Sequence, residues 1–152
     1  MSKYVYSPSK ESILAIPRLL ETMLSSGRWP RNKADAGAQN IKPLVAPALV
    51  RRLAAEESTI YLLPPPFPTI RERCREGPFW TSPIADPDGI DFDLALDIAD
   101  FGLGSDAPIL LDYRQDINNP RVIRLRWSSD GGANRWVVMA PDFASFVEAL
   151  GL

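Results

Sequence analysis

The side chains of this chain that could do chemistry are carboxylates. Asp100, Asp106, Asp112 and Asp116 fall within one short stretch, and any two brought together could act as a general acid and base or hold a divalent cation. Their spacing specifies neither. The 152 residues include no histidine and a single cysteine, Cys74. Ser–His and Cys–His catalysis, a His- or Cys-type metal site within one chain and an intramolecular disulfide are therefore excluded. Asp100-Phe101-Gly102 spells the magnesium-binding triplet of protein kinases, but no HRD-type catalytic loop or phosphate-binding lysine accompanies it. Residues Gly102 to Ala107 also fit the dinucleotide pattern GxGxxA, yet Pro108 opens a strand where a pyrophosphate-binding helix would have to begin. No motif specifies an enzyme or calls for a cofactor.

Charge is more informative. The net charge is −2 for the whole chain, but residues 86 to 116 hold nine aspartates and one base, Arg114, a local charge of −8. Such an asymmetry suggests an acidic surface that steers a basic partner. Strand ends and turns that simply favour Asp would give the same composition. Asp86, Asp88, Asp91, Asp93, Asp97 and Asp116 are the candidate partner-binding residues.

The elements that must position these side chains centre on Leu94 to Trp127, where apolar residues alternate at period two in three runs. In the first, Leu96 and Ile98 face a core and Asp97 points outward. A turn follows at Asp100, Gly102, Gly104, Ser105 and Asp106, where glycines allow a tight connection and short polar side chains bond nearby amides. In the second run Ile109, Leu111 and Tyr113 oppose Leu110, Asp112 and Arg114. In the third, Ile123, Leu125 and Trp127 oppose Val122, Arg124 and Arg126, which predicts Asp112 across from Arg124 or Arg126. A turn from Ser128 to Asn134 leads to a strand over 135–140 and a closing helix over 141–150, with Phe143, Phe146, Val147 and Leu150 spaced to dock on the sheet.

Upstream, the spacing predicts a helix over 10–26, with Ser9 as its cap and Gly27 as its stop. A polar loop over 31–42 and a second helix over 43–57 follow. A strand over 58–63 then runs into Pro64-Pro65-Pro66-Phe67-Pro68, where the ladder must end and Phe67 turns inward. Thr69 and Glu72 form a capping box for a short helix, and 81–93 is a loop. This is an α+β pattern in a single domain over 1–152, with four to six largely antiparallel strands. No window is apolar enough to cross a membrane and the amino terminus has no signal pattern, so a cytoplasmic protein is expected.

The succession DFGLGSDAPILLDYR, then NPRVIRLRW, then RWVVMAPDFASFVEALGL resembles the SUKH superfamily, the Smi/Knr-like domains. There a Gly-rich turn enters a hairpin and a final Phe-x-x-Phe/Leu helix closes the domain. The resemblance covers residues 10 to 152 and is strongest from Ile98 onward. It implies a single α+β domain and, as in many bacterial members, an immunity protein that binds and neutralises a cognate polymorphic toxin, often a nuclease. Asp100, Gly102, Gly104, Ser105 and Asp106 match the family's turn, a fold role. The polyproline run and the 31–42 stretch depart from the family pattern. The expected function is thus a non-enzymatic protein-binding module whose partner is a toxin domain, with no cofactor, no metal, no membrane and no direct nucleic-acid contact. A scaffold or regulatory subunit is the alternative, and a carboxylate-based enzyme the second.

Overall fold

The structure, a computed structural model, describes residues 14–102, 106–128 and 134–152. It is α+β, built on an open five-stranded antiparallel sheet in sequential order, β1 (Tyr61–Leu62), β2 (Ala95–Asp100), β3 (Pro108–Asp112), β4 (Arg121–Arg126) and β5 (Arg135–Ala140). Four helices precede most of the sheet, α1 (Arg18–Ser26), α2 (Lys33–Gly37), α3 (Pro47–Leu53) and α4 (Ile70–Arg73), and α5 (Phe143–Leu150) closes it.

Both faces of the sheet are covered. On one, Leu20, Met23 and Leu24 of α1 and Phe143, Phe146 and Leu150 of α5 pack with Leu96, Ile98, Ile109, Leu111 and Val122. A register shift between Asp97 and Ala99 breaks the alternation of β2, so that Leu96, Ile98 and Ala99 all join this main core. On the other face Ile70 and Ile90 cover Ala95, Leu110 and Ile123, with Trp80, Phe92 and Trp136 at the margin.

This second layer overturns the expectation of a wet sheet face. Asp97 and Asp112, read as outward, are buried, because α4 and the segment after it lie over that side. The expected pairing is corrected too. Asp112 stands opposite Arg121, and Arg124 opposite Ile109; Arg124 therefore shares the main-core face, where it lies over the Phe101 ring and pairs with Glu56. Trp127, expected in the core, lies beyond the end of β4 and is exposed.

The local signals explain most of the remaining elements. Helix α1 starts at Arg18, directly after Pro17, rather than at residue 10, and ends at Gly27, whose φ of 78° is the left-handed cap that glycine adopts freely. Ser9 and residues 10–13 lie outside the described residues, as do Gly104, Ser105 and most of the turn expected before Asn134. The 31–42 stretch is not a bare loop. Asn32 caps α2 by accepting from the Asp35 amide, and the buried Gln39 exchanges two 2.8 Å hydrogen bonds with the backbone of Leu62. A glutamine amide thus takes the place of a neighbouring strand on the free edge of β1, where unpaired backbone groups would otherwise be left in the interior.

After β1 the chain stays beside β2. Leu63 donates to Ile98, Asp97 donates to Pro68, and Thr69 bridges to Leu96. The prolines, which lack amide donors, occupy this edge without costing the sheet a bond. Phe67 turns inward as expected and meets Trp29 edge-to-face, while the Trp29 indole donates to the Leu63 carbonyl at 2.8 Å.

Candidate functional site

On the second face, a cavity of about 620 Å³ opens between β1, the end of β2 and the segment that follows α4. Its volume lies in the range of small-ligand clefts. Tyr61, Leu63, Pro78, Phe79, Trp80, Ile84 and Pro108 supply its apolar surface, and Arg73, Glu76, Ser82, Asp97, Asp100 and Asp106 its polar groups.

The sequence builds each wall locally. The capping box is complete, with Thr69 accepting from the Glu72 amide and Glu72 reaching back to the Thr69 amide. That fixes the start of α4, and one turn later Arg73 projects onto β2. Its Nε and a terminal nitrogen each lie 2.9 Å from Asp97 Oδ2, and its other terminal nitrogen donates to Glu76 at 2.7 Å. From Gly77 the chain makes three short 3-10 turns, Pro78–Thr81, Pro83–Ala85 and Pro87–Gly89, each begun by a proline. Trp136 and Asn134 pin this wall by donating to the carbonyls of Ala85 and Ile84. At Gly89 a Cβ would fall 2.7 Å from both Trp136 and Asp86, so only glycine fits there without displacing one of them. Three aromatic rings line the approach: Phe79 meets Trp80 edge-to-face at 5.2 Å and stacks on Trp127 at 6.4 Å. The Trp127 indole is held by the Asp106 carbonyl at 2.9 Å.

Asp97 is the unusual member. It is 4% exposed, and its Oδ1 has no hydrogen-bond partner among the described residues. Burial pushes its carboxyl up to about 7, against the pull of the Arg73 guanidinium and with a further push from Asp100 and Glu76. Arg73 itself is disfavoured by burial, but Asp97 and Glu76 hold its charge more firmly than usual. Arg73 contacts Asp97 and Glu76, and Asp100 and Asp106 line the same cavity.

The expected partner residues are divided by the topology. Asp91, Asp93 and Asp116 lie at the end of the sheet where β2 begins and β3 ends, whereas Asp100 and Asp106 lie at the opposite end, in the cleft. Asp88, Asp91, Asp93 and Asp116 are exposed and Asp86 is half-buried, but Asp93 is bound by Arg71 at 3.0 Å. Asp97 is too enclosed to serve as a surface contact, which corrects its expected role. Asp116 accepts from the amides of Asn118 and Asn119, as a turn former does.

Of the four carboxylates singled out for acid–base chemistry, Asp100 and Asp106 share the cavity lining, whereas Asp112 and Asp116 lie elsewhere. Burial disfavours a charged Asp112, yet bonds from Arg114 and Arg121 hold it below the usual carboxylate range. Asp116 is remote from Asp100 and Asp106. Among the described residues no group of three or more Asp, Glu or Cys side chains is placed to hold a metal ion, and no helix is long and apolar enough to cross a membrane.

Arg73, Glu76 and Tyr61 carry no signal in the sequence that would mark them for the site. Asp97 does carry one, a carboxylate between Leu96 and Ile98 in a strand that both neighbours bury. Phe79 and Trp80 are legible only as aromatics without a helical or strand period. Comparison with protein-family models, with curated proteins and with solved structures returned no match in any of the three.

Proposed function

We propose that this protein is a non-enzymatic binding module for a basic protein partner and, in line with its resemblance to the SUKH superfamily, a cytoplasmic immunity protein that neutralises a cognate toxin domain. The observation that carries the reading is the juxtaposition of acid and aromatic surface at one cleft. Trp127 is 47% exposed and donates to the Asp106 carbonyl, and Ile84, 46% exposed, lines the cavity with Asp100 and Asp106. Tryptophan beside apolar groups is the composition of interface hot spots, and surrounding carboxylates steer and orient a positively charged partner. A nuclease domain, basic because it must hold phosphates, fits such a face.

The reading centres the contact surface on the cleft and takes Asp93 and Asp112, which already have arginine partners, out of it. Affinity capture from the source cell, with and without Trp127→Ala and Asp106→Asn, tests it. Trp127→Ala should weaken capture of a basic partner by about tenfold or more, as hot-spot truncations do. Asp106 sits at φ 53°, a conformation asparagine also accepts, so that variant removes charge while keeping the turn and should steepen the loss of complex with salt. Capture of an acidic partner, or capture indifferent to both substitutions, would overturn the assignment; an endogenous complex with no toxin in it would establish the scaffold alternative.

A further inference from the structure

We infer that the cleft between α4, the Pro78–Thr81 turn and the end of β2 is a receptor for a guanidinium group, supplied by an arginine side chain of the basic partner. The inference deepens the partner reading and rests on it for the source of the group. Three independent features of the cavity point to this chemistry.

The first is charge. Glu76, Asp97, Asp100 and Asp106 line the cavity with Arg73 as the cation among them. Arg73 spends its donors on Asp97 and Glu76, so an incoming anion would meet carboxylates and an already engaged guanidinium. An incoming cation meets a lining whose acidic side chains outnumber its one basic side chain. The second is the aromatic wall. Phe79 and Trp80 line the cavity, and Trp127 stacks on Phe79 beside it. A planar guanidinium stacks on such faces while its edge donates to carboxylates, a pairing that a lysine ammonium reproduces less well. The third is the orphan acceptor. Asp97 lines the cavity, is more than nine-tenths buried and keeps one carboxylate oxygen without a partner among the described residues. A buried acceptor in that state is costly and favours any arrangement that increases the positive charge and donor density around it.

The site should also be proton-linked. Asp97 is faced by Arg73 from α4, Glu76 from the segment after it and Asp100 from its own strand. A bound guanidinium favours the ionised form of Asp97, so binding expels a proton at neutral pH. With the free carboxyl at about 7, affinity rises by up to about tenfold from about pH 6 to about pH 8.

The test is a titration of the full chain with three probes, followed by tryptophan fluorescence and by amide chemical shifts. They are a capped Gly-Arg-Gly tripeptide, the same tripeptide with citrulline in place of arginine, and agmatine. The arginine tripeptide should saturate with shifts confined to the cleft, and the uncharged citrulline tripeptide should bind at least about tenfold more weakly. Asp106→Asn should weaken the arginine tripeptide on the order of tenfold, and Asp97→Asn should abolish the rise in affinity with pH. Tighter binding of the tripeptide than of agmatine assigns the site to a protein side chain; agmatine alone, or agmatine the tighter, would overturn that source in favour of a free organic cation. Equal binding of arginine and citrulline tripeptides, or no saturation by either cation, would overturn the receptor itself. In that case partner capture that still responds to Trp127→Ala would show that the partner reading survives without it.

Discussion

Replacing Asp97 with asparagine should stabilise this protein at alkaline pH, although the substitution removes a buried ion pair. The folded structure pushes the Asp97 carboxyl from its ordinary 3.8 to about 7. Below the lower value the group is protonated in both states and makes no difference. As pH rises from there the unfolded chain releases the proton while the folded chain retains it, so stability falls until the folded carboxyl also ionises, and is flat above that. A raised carboxyl thus contributes stability that is present at low pH and lost as pH rises. The full difference is on the order of 4 kcal/mol, of which about 2 kcal/mol falls between about pH 5.5 and about pH 8.

Asp97→Asn deletes that slope. Its amide oxygen can still accept from Arg73, and Arg73 keeps Glu76 at 2.7 Å, so no unpaired charge is left behind, the usual reason why breaking a buried pair is destructive. Urea unfolding of both proteins across this pH range is the assay. With a urea dependence of roughly 2 kcal/mol per molar for a chain of this size, the wild-type midpoint should drop by about 1 M relative to that of the variant between the two ends. All other titrating groups are common to both proteins and cancel in the comparison. Parallel pH profiles for wild type and variant would refute the reasoning, because they would mean that Asp97 ionises normally and that burial does not dominate its environment.

Two further substitutions test how the scaffold holds the cleft. Gln39→Ala leaves the buried N–H and carbonyl of Leu62 without partners, which should cost roughly 1 to 3 kcal/mol in urea unfolding and accelerate exchange of the Leu62 amide; unchanged protection at Leu62 would show that the edge of β1 is closed by something else. Gly89→Ala places a methyl group 2.7 Å from the Trp136 ring and from Asp86, and should cost roughly 1 to 3 kcal/mol as overpacking does, with altered Trp136 fluorescence. A wild-type midpoint in that variant would mean that the 83–90 segment yields freely.

The sheet was legible because its residues obey a local rule. Period two in 95–100, 109–113 and 121–126, a glycine at the end of α1 and a Thr69–Glu72 box each act within a few positions. What failed was the assignment of faces. Leu110 shares its face with Asp112 and Arg114 and reads as an exception on a polar one, while Ile123, read with Leu125 and Trp127 as core-facing, packs in the second layer and Val122, read beside Arg124 and Arg126, packs in the main core. The main-core and second-layer sides can be distinguished only once α4 is known to lie on the sheet, and that placement depends on the edge pairing of 63–69 with β2, a contact between segments some thirty residues apart in sequence.

The same long-range packing explains why the acidic stretch misleads as a map of the surface. An aspartate in a strand costs little while its face is wet and much once it is covered. When α4 covers β2 it must bring a cation for Asp97, and Arg73 is that cation; when β4 pairs with β3 it brings Arg121 to Asp112. Local charge counted along the chain therefore overstates the acidity the surface presents, because the fold gives Asp93, Asp97 and Asp112 arginine partners. At the cleft the lining as a whole is acidic: one arginine serves Asp97 and Glu76, and the carboxylates of Asp100 and Asp106 belong to the same cavity. At Asp97 the two effects meet: the burial that makes it useless as a surface contact is what makes its proton responsive to a positive charge arriving next to it.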